Sequence, residues 1–400
     1  MANKGADDPE RFPEAAKIVG NFTFFPNPAI ALRLFRGDAL AVEEPDPNRP
    51  ARAPARRGRG TEWNPKNRFE KLEYTPDPPG EYDEPMPAPR TEFFRDDTQS
   101  ILSRNESPDV GFEVSVNPYR GCEHGCSYCY ARPTHEYLGW SAGLDFESRI
   151  LVKQNAPELL RKALDSPRWE PQRLVMSGVT DCYQPVERRL EITRRCLGVL
   201  VEFRNPVEII TKNHLVTRDI DLLSALASHR AAAVNLSVTT LDPALARVLE
   251  PRVSPPSRRL AAIRELSAAG VPVRAMVAPV IPGLNDHEIP AILEAVAEAG
   301  ASGAGYVVIR LPLGVGPIFE RWLEEHFPGS KTKILERIRD MRGGKLNDSR
   351  FGSRMRGEGI HAEMIRKMFS TAARKAGLDH PRPSLSTAAF RRPGEQLTLF

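Results

Sequence analysis

The chain has 400 residues, a formal net charge of +4 and five cysteines. So small a net charge excludes nucleic-acid binding by bulk charge alone. Widely spread cysteines, no secretory apolar stretch near the N-terminus and no long apolar run exclude a disulfide-stapled or membrane-spanning scaffold and point to a reducing cytoplasm.

Residues 1–100 are rich in Pro, Arg, Asp and Glu with poor hydrophobic periodicity. Such a segment buries too little apolar surface to offset the entropy of ordering, so a largely disordered N-terminal extension is expected, with 19–34 apolar enough to dock locally. Within it, Arg56-Arg57-Gly58-Arg59-Gly60 is followed by Trp63, Lys66, Arg68 and Lys71. A basic run with an interleaved aromatic can track a phosphate backbone; a solvated linker has the same composition.

From Phe112 the pattern changes. Short apolar or β-branched runs predict strands at 113–117, 173–177, 207–211, 232–238, 273–278 and 305–311. Helical segments are expected at 157–164, 186–203, 219–228, 257–269, 289–299 and 318–326. Ala262, Ile263, Leu266 and Ala269 recur at helical spacing, and Gly270 and Gly300 each follow a helix end. Six strands alternating with helices imply parallel pairing and an α/β class. The stretch 101–327 is long enough for one barrel-like core and too short for eight strands, with chemistry expected at the C-terminal strand ends. Beyond it, 328–400 is a basic region with helices at 331–341 and 360–378 and a flexible tail.

The most specific motif follows the first barrel strand: Gly121-Cys122-Glu123-His124-Gly125-Cys126-Ser127-Tyr128-Cys129-Tyr130. Cys122, Cys126 and Cys129 can converge on one point from a single turn. Three thiolates are one short of a closed structural site, so an iron–sulfur cluster held by them keeps one iron open. The alternative is zinc with His124 as the fourth ligand, which a compact loop presents with difficulty.

The segment Asn117-Pro118-Tyr119-Arg120-Gly121-Cys122, with Cys126-Ser127-Tyr128-Cys129-Tyr130-Ala131-Arg132, resembles the radical S-adenosylmethionine (SAM) superfamily, and most closely its spore photoproduct lyase-like branch. The resemblance implies a partial (β/α)6 barrel and a [4Fe–4S] cluster on Cys122, Cys126 and Cys129 whose open iron is chelated by SAM. It implies reductive SAM cleavage, hydrogen-atom abstraction and an electron donor such as flavodoxin or ferredoxin. Ser177, Gly178 and Thr180 then receive the methionine ammonium, with Asp181 and Tyr183 over the cluster. Ser237 and Thr239 reach the ribose and carboxylate, Glu250 and Arg259 match the branch's Glu…Arg pair with Arg259 clamping the carboxylate, and the main chain at Val280 and Ile281 meets adenine. Lys153 and Lys212 are further strand-end candidates. Where that branch carries a hydrogen-donating cysteine, this chain has Gly178, and Cys182 beside Asp181 is the displaced candidate. Tyr128 and Tyr130 either relay a radical or pack the loop.

Two features favour nucleic acid, DNA over RNA. The C-terminal region carries Lys331, Lys333, Arg337, Arg339, Arg342, Lys345, Arg350, Arg354, Arg356, Arg366, Lys367, Arg374 and Lys375, a stripe able to steer a polyanion. The segment Gln396-Leu397-Thr398-Leu399-Phe400 resembles the pentapeptide by which bacterial repair and replication proteins dock on the sliding clamp. The expected function is a radical SAM enzyme, a lyase or nucleic-acid-modifying enzyme of DNA repair or modification. The alternative is a non-catalytic nucleic-acid-binding protein with a structural iron–sulfur or zinc site.

Overall fold

The computed structural model describes residues 58–71, 90–382 and 384–393. Residues 19–34, Arg56, Arg57 and the segment 396–400 lie outside them. Among the described residues ten strands form two sheets: β1 Glu92–Arg95, β2 Leu102–Arg104, β3 Val114–Val116, β4 Tyr119–Arg120, β5 Arg149–Val152, β6 Leu174–Met176, β7 Val207–Thr211, β8 Ala232–Ser237, β9 Val273–Val280 and β10 Ala304–Val308.

The larger sheet runs in the order β10-β9-β8-β7-β6-β3-β2. From β3 to β10 every pairing in it is parallel, and β2 adds antiparallel to β3. These six parallel strands overlap the six expected from sequence. β3, β6 and β8 are buried along their whole length, as strands covered on both faces require. β10 and β2 end the strand order without pairing to each other, so the barrel is partial. The smaller sheet, β1-β5-β4, was not foreseen.

The expected helix 186–203 is two helices, Glu187–Leu190 and Ile192–Phe203, broken at Glu191 with φ 51°. Buried Glu187 gives the reason. Its carboxylate accepts from Thr193 N at 3.1 Å and so caps the second helix, while taking the Tyr119 hydroxyl at 2.5 Å and Arg218 Nη2 at 2.8 Å. The helix Pro243–Leu249 was not expected, although Asp242-Pro243 announces it: the Asp242 side chain accepts from Ala244 N at 2.7 Å, and proline suits the first turn.

Two expectations about charge are corrected. The 58–71 segment, expected within a disordered extension, is packed: Arg59, Thr61 and Asn67 are buried, and Asn67 Nδ2 donates to the carbonyls of Glu136 and Trp140, each at 3.0 Å. Arg59 therefore does not track a phosphate backbone. The basic C-terminal stripe is largely committed to the protein itself. Arg342 is buried and donates to Val308 O and Ile309 O, Arg356 Nη1 donates to Tyr306 O at 2.8 Å, and Arg354 pairs with Asp109. With Val308 N donating to Met355 O at 3.0 Å, these bonds lay the chain around 353–356 along the free edge of β10 and tie it to the 105–112 loop. Lys331, Arg339 and Arg350 also pair with acids. Among the described residues no helix is long and apolar enough to cross a membrane.

Candidate functional site

The cysteine loop follows β3 and β4. Cys122 and Cys126 are buried and Cys129 partly so. Cys122 N donates to Phe146 O at 2.9 Å, Glu123 N to Gln184 Oε1 at 2.9 Å, and Ser127 N to Leu249 O at 3.2 Å. Val186 N returns a bond to Glu123 Oε2 at 2.7 Å. The loop is thus bound by backbone groups to several elements.

Arg132, three residues past Cys129, is fully buried and donates through Nε and Nη2 to Cys126 O at 3.0 and 2.9 Å. Its charge is met by buried Glu147 at 2.5 Å. Glu147 also accepts from Gly60 N at 2.9 Å, and its carbonyl takes Arg59 Nη1 at 2.8 Å. A strap from the N-terminal region therefore lies on the cysteine loop. Backbone meets backbone there: a Cβ on Gly60 would stand 1.5 Å from Gly125 O, so only glycine fits. Arg132 and Gly125 were in view as parts of the motif, but their partners at 59, 60 and 147 carry no signal in sequence spacing.

Burial pushes the three thiols up, with Asp181 and the other two sulfurs adding at Cys122 and with Arg132 opposing at Cys129. Three thiols so shifted are unfavourable as thiolates until a cationic centre joins them. Among the described residues no three His, Cys, Asp or Glu side chains surround one point closely enough for a single metal ion. A lone zinc would draw thiolates to about 4 Å of one another, given Zn–S near 2.3 Å. A cubane gives each thiolate its own iron, and this donor set fits it. His124 is no fourth ligand. Nδ1 lies 3.5 Å from Asp181 Oδ2 and Nε2 lies 3.2 Å from Asn213 Nδ2, so both nitrogens are engaged, and burial pushes the imidazole's pKa down.

Behind the loop lies a buried polar floor. Glu250 accepts from the Tyr128 hydroxyl, from Arg259 Nη2 and from Thr239 Oγ1 at 2.8 Å, and Lys212 Nζ is 3.3 Å away. Burial alone would raise its carboxyl. Arg259, Lys212 and the bond from Tyr128 outweigh that and hold it well below the usual carboxylate range. Lys212 Nζ also donates to Ala278 O at 2.9 Å. The expected Glu250–Arg259 pair is present. Arg259 is 1% exposed and completes its bonding on Ser254 O at 2.7 Å and Ser237 O at 3.2 Å, so it braces Glu250.

The turn after β6 is pinned beside the loop. Ser177 sits at φ 74°, and its Oγ accepts from Cys182 N at 2.7 Å; Thr180 Oγ1 donates to Tyr119 O at 2.8 Å; Val179 N donates to Asn117 Oδ1 at 3.0 Å. The Tyr130 hydroxyl donates to Gly178 O at 2.9 Å. Ser237 and Thr239 are buried at the end of β8. Asp181 sits beside Cys122 and His124, its carboxylate accepting from Thr211 Oγ1 at 2.8 Å and Lys212 N at 2.9 Å. The expectation for Tyr183 is corrected. Tyr183 is wholly buried, with its hydroxyl on Asp219 Oδ2 at 3.1 Å. At Val280 and Ile281 the main chain is already paired: Val280 O with Ile309 N, Ile281 N with Asn285 Oδ1 at 2.6 Å, and Ile281 O with Leu284 N. Lys153 follows β5 of the smaller sheet, near Arg120 and Asp96.

Cys182 is also corrected. It is fully buried in the core, and burial, then Asp181, push its thiol well up. A thiol there meets no ligand at the mouth. Cys182→Ala is expected to keep full iron and sulfide content and to cost about 1–2 kcal/mol of stability from lost packing, read as a lowered Tm. Loss of iron in that variant would make Cys182 a ligand.

A family model for the radical SAM superfamily matches residues 116–296, which span the cysteine loop, β6, β7, β8 and β9. A protein of Mycobacterium tuberculosis carried as uncharacterised is 34% identical over 294 residues, covering 72% of this chain and 82% of its own. The chain belongs to the radical SAM superfamily. It is an enzyme of the radical SAM type, and its cofactors are a [4Fe–4S] cluster and SAM. Another uncharacterised relative, from Methanocaldococcus jannaschii, is 29% identical over 229 residues, 56% of this chain and 81% of that protein. Among solved structures, spore photoproduct lyase complexed with dinucleoside spore photoproduct superposes with a TM-score of 0.52 at 16% identity, covering 71% of this chain and 79% of the other. At that identity the likeness is one of fold.

Proposed function

We propose that this radical SAM protein abstracts a hydrogen atom from a nucleic-acid substrate, DNA favoured, with Cys122, Cys126 and Cys129 holding the cluster. The observation that carries the reading is the loop: Cys122 and Cys126 buried and Cys129 partly buried at the C-terminal mouth of the parallel strands, with both His124 nitrogens engaged elsewhere. When bound, the cluster supplies the electron for reductive cleavage of SAM.

The chain's own residues then bind and orient. The 177–180 turn, tied to Asn117 and Tyr119, offers Ser177, Gly178 and Thr180 to the methionine ammonium. Ser237 and Thr239, buried at the end of β8, would reach the ribose and carboxylate. Glu250, braced by Arg259, fixes Tyr128 and Lys212 beneath the loop, so these are positioning groups. The barrel core over 101–327 is the catalytic unit, with 328–400 a region that completes its open side.

A nucleic acid is favoured by the motif's likeness to the spore photoproduct lyase-like branch, and a protein of that name shares the fold and was solved with a dinucleoside lesion. Repair of that same lesion is not proposed, because glycine stands at 178 and Cys182 is buried. An oxygen-sensitive cluster suits a reducing cytoplasm with a flavodoxin or ferredoxin as donor. Gln396-Leu397-Thr398-Leu399-Phe400 would dock on a sliding clamp with modest affinity, on the order of micromolar.

The test is anaerobic reconstitution followed by reduction with SAM present. Brown protein, a [4Fe–4S] electron paramagnetic resonance signal and release of 5′-deoxyadenosine that rises with added DNA are expected. Mass spectrometry of nucleosides from a deletion strain then names the product. A colourless zinc protein that leaves SAM intact would overturn the reading.

A further inference from the structure

Arg310 follows β10 by two residues, at the mouth. Its guanidinium carbon lies 5.2 Å from the centroid of the Tyr130 ring, and Tyr130 is bonded to Gly178 O. Arg310 therefore overlooks the place where the cysteine loop meets the turn after β6. Tyr130 is 47% and Val179 38% exposed, so this rim is open.

The charge balance around Arg310 is unusual. Among the described residues its hydrogen-bond acceptor is the Met355 sulfur, at 3.6 Å, and its Nε is buried without any acceptor. Of the guanidiniums nearby, Arg354 pairs with Asp109, Arg356 Nη1 donates to Tyr306 O, and Arg342 donates to four carbonyls although its Nε, like that of Arg310, meets no acceptor. Asp109, the acid close enough to be felt, is already engaged by Arg354. Burial, then Arg354, push the pKa of Arg310 down, so its charge is destabilised where it stands. A sulfur is a weak acceptor, and a partly desolvated guanidinium calls for an anion with two oxygens in one plane.

We propose that Arg310, standing on the Tyr130 ring, is an anion subsite that takes a phosphodiester of the substrate. This deepens the nucleic-acid reading given above and rests on it. A phosphodiester matches the fork, and a contact of this kind positions a nucleic acid without reading its sequence. The SAM carboxylate is the competing source of such oxygens.

The test uses cluster-loaded, full-length protein under anaerobic conditions. A short fluorescein-labelled single-stranded oligonucleotide is titrated by anisotropy over a range of salt, and SAM by calorimetry. Arg310→Met is expected to weaken oligonucleotide binding about tenfold and to lower the slope of log K against log salt by about one. Its SAM affinity and iron content should stay at wild-type values. Arg310→Lys should keep the slope and recover only part of the affinity, because the charge survives and the fork does not. If the Met variant loses its cluster, the Lys variant decides: weaker binding supports the subsite, and wild-type affinity overturns it. Equal oligonucleotide binding by wild type and Arg310→Met removes the subsite and leaves the substrate class standing. Weakened SAM binding with unchanged oligonucleotide affinity reassigns Arg310 to the SAM carboxylate and overturns the proposal. A wild-type protein that binds no oligonucleotide withdraws both it and the nucleic-acid reading.

Discussion

Replacing Cys126 by alanine is expected to leave a folded, colourless protein that releases no detectable 5′-deoxyadenosine. Cys126 sits at the centre of the site. Its carbonyl takes two bonds from Arg132, and its thiol stands in a pocket where burial and Glu250 both oppose the bare thiolate. Removing the sulfur leaves two donors for a group that needs three, and among the described residues the remaining thiols, Cys182 and Cys196, are buried in the core. The fold should survive, because the backbone bonds of the loop do not involve the side chain. Iron and sulfide analysis, the electron paramagnetic resonance spectrum of the reduced protein and a melting curve check this together. Full iron and sulfide content in Cys126→Ala would end the three-thiolate assignment.

Gly60→Val should have nearly as large an effect from a residue far from the motif in sequence. A Cβ at position 60 would stand 1.5 Å from the Gly125 carbonyl oxygen and 3.2 Å from Arg132 Nη2. Backbone cannot yield to that extent, so either the strap lifts or the cysteine loop shifts. If the strap lifts, Glu147 loses the Gly60 amide and Arg59 loses its anchor on the Glu147 carbonyl, which opens a buried ion pair to water. The expected outcome is a severalfold drop in iron retained after desalting, with new protease cleavage between 58 and 71. A chain shortened to begin near residue 90 should behave alike. Wild-type iron content in the shortened chain would show that the strap does not support the loop.

The barrel was legible because six buried parallel strands leave apolar runs that alternate with amphipathic helices, and the cluster loop because its ligands are contiguous. What was not legible shares one physical cause: it depends on pairs distant in sequence. Arg132 and Glu147 are charged residues whose composition signals solvent, yet each is buried because the other is there, and Arg59 is buried on the Glu147 carbonyl. Arg342 and Arg354 read as a basic stripe but serve the free edge of β10 and the 105–112 loop. The helix break at Glu191 follows from the burial of Glu187 against Tyr119 and Arg218, which no periodicity records. Cys182 and Tyr183 were placed at the mouth because they adjoin Asp181; the turn after β6 directs them into the core. The Glu250–Arg259 pair was legible as a pair, and the Tyr128, Lys212 and Thr239 bonds that complete it come from segments distant in sequence.

Glu250 joins Tyr128 of the cysteine loop, Lys212 after β7, Thr239 after β8 and Arg259 of the helix Pro256–Ala268. None of these four segments can move outward alone without stranding a buried charge, so they should open together. In amide hydrogen exchange they would behave as one cooperative unit whose protection approaches that of global unfolding. The Asp109–Arg354 link at the barrel's open side is the opposite case, a single ion pair between two loops. Amides around 105–112 should exchange through a smaller opening, so the protein would breathe at its seam while the floor beneath the cluster stays shut.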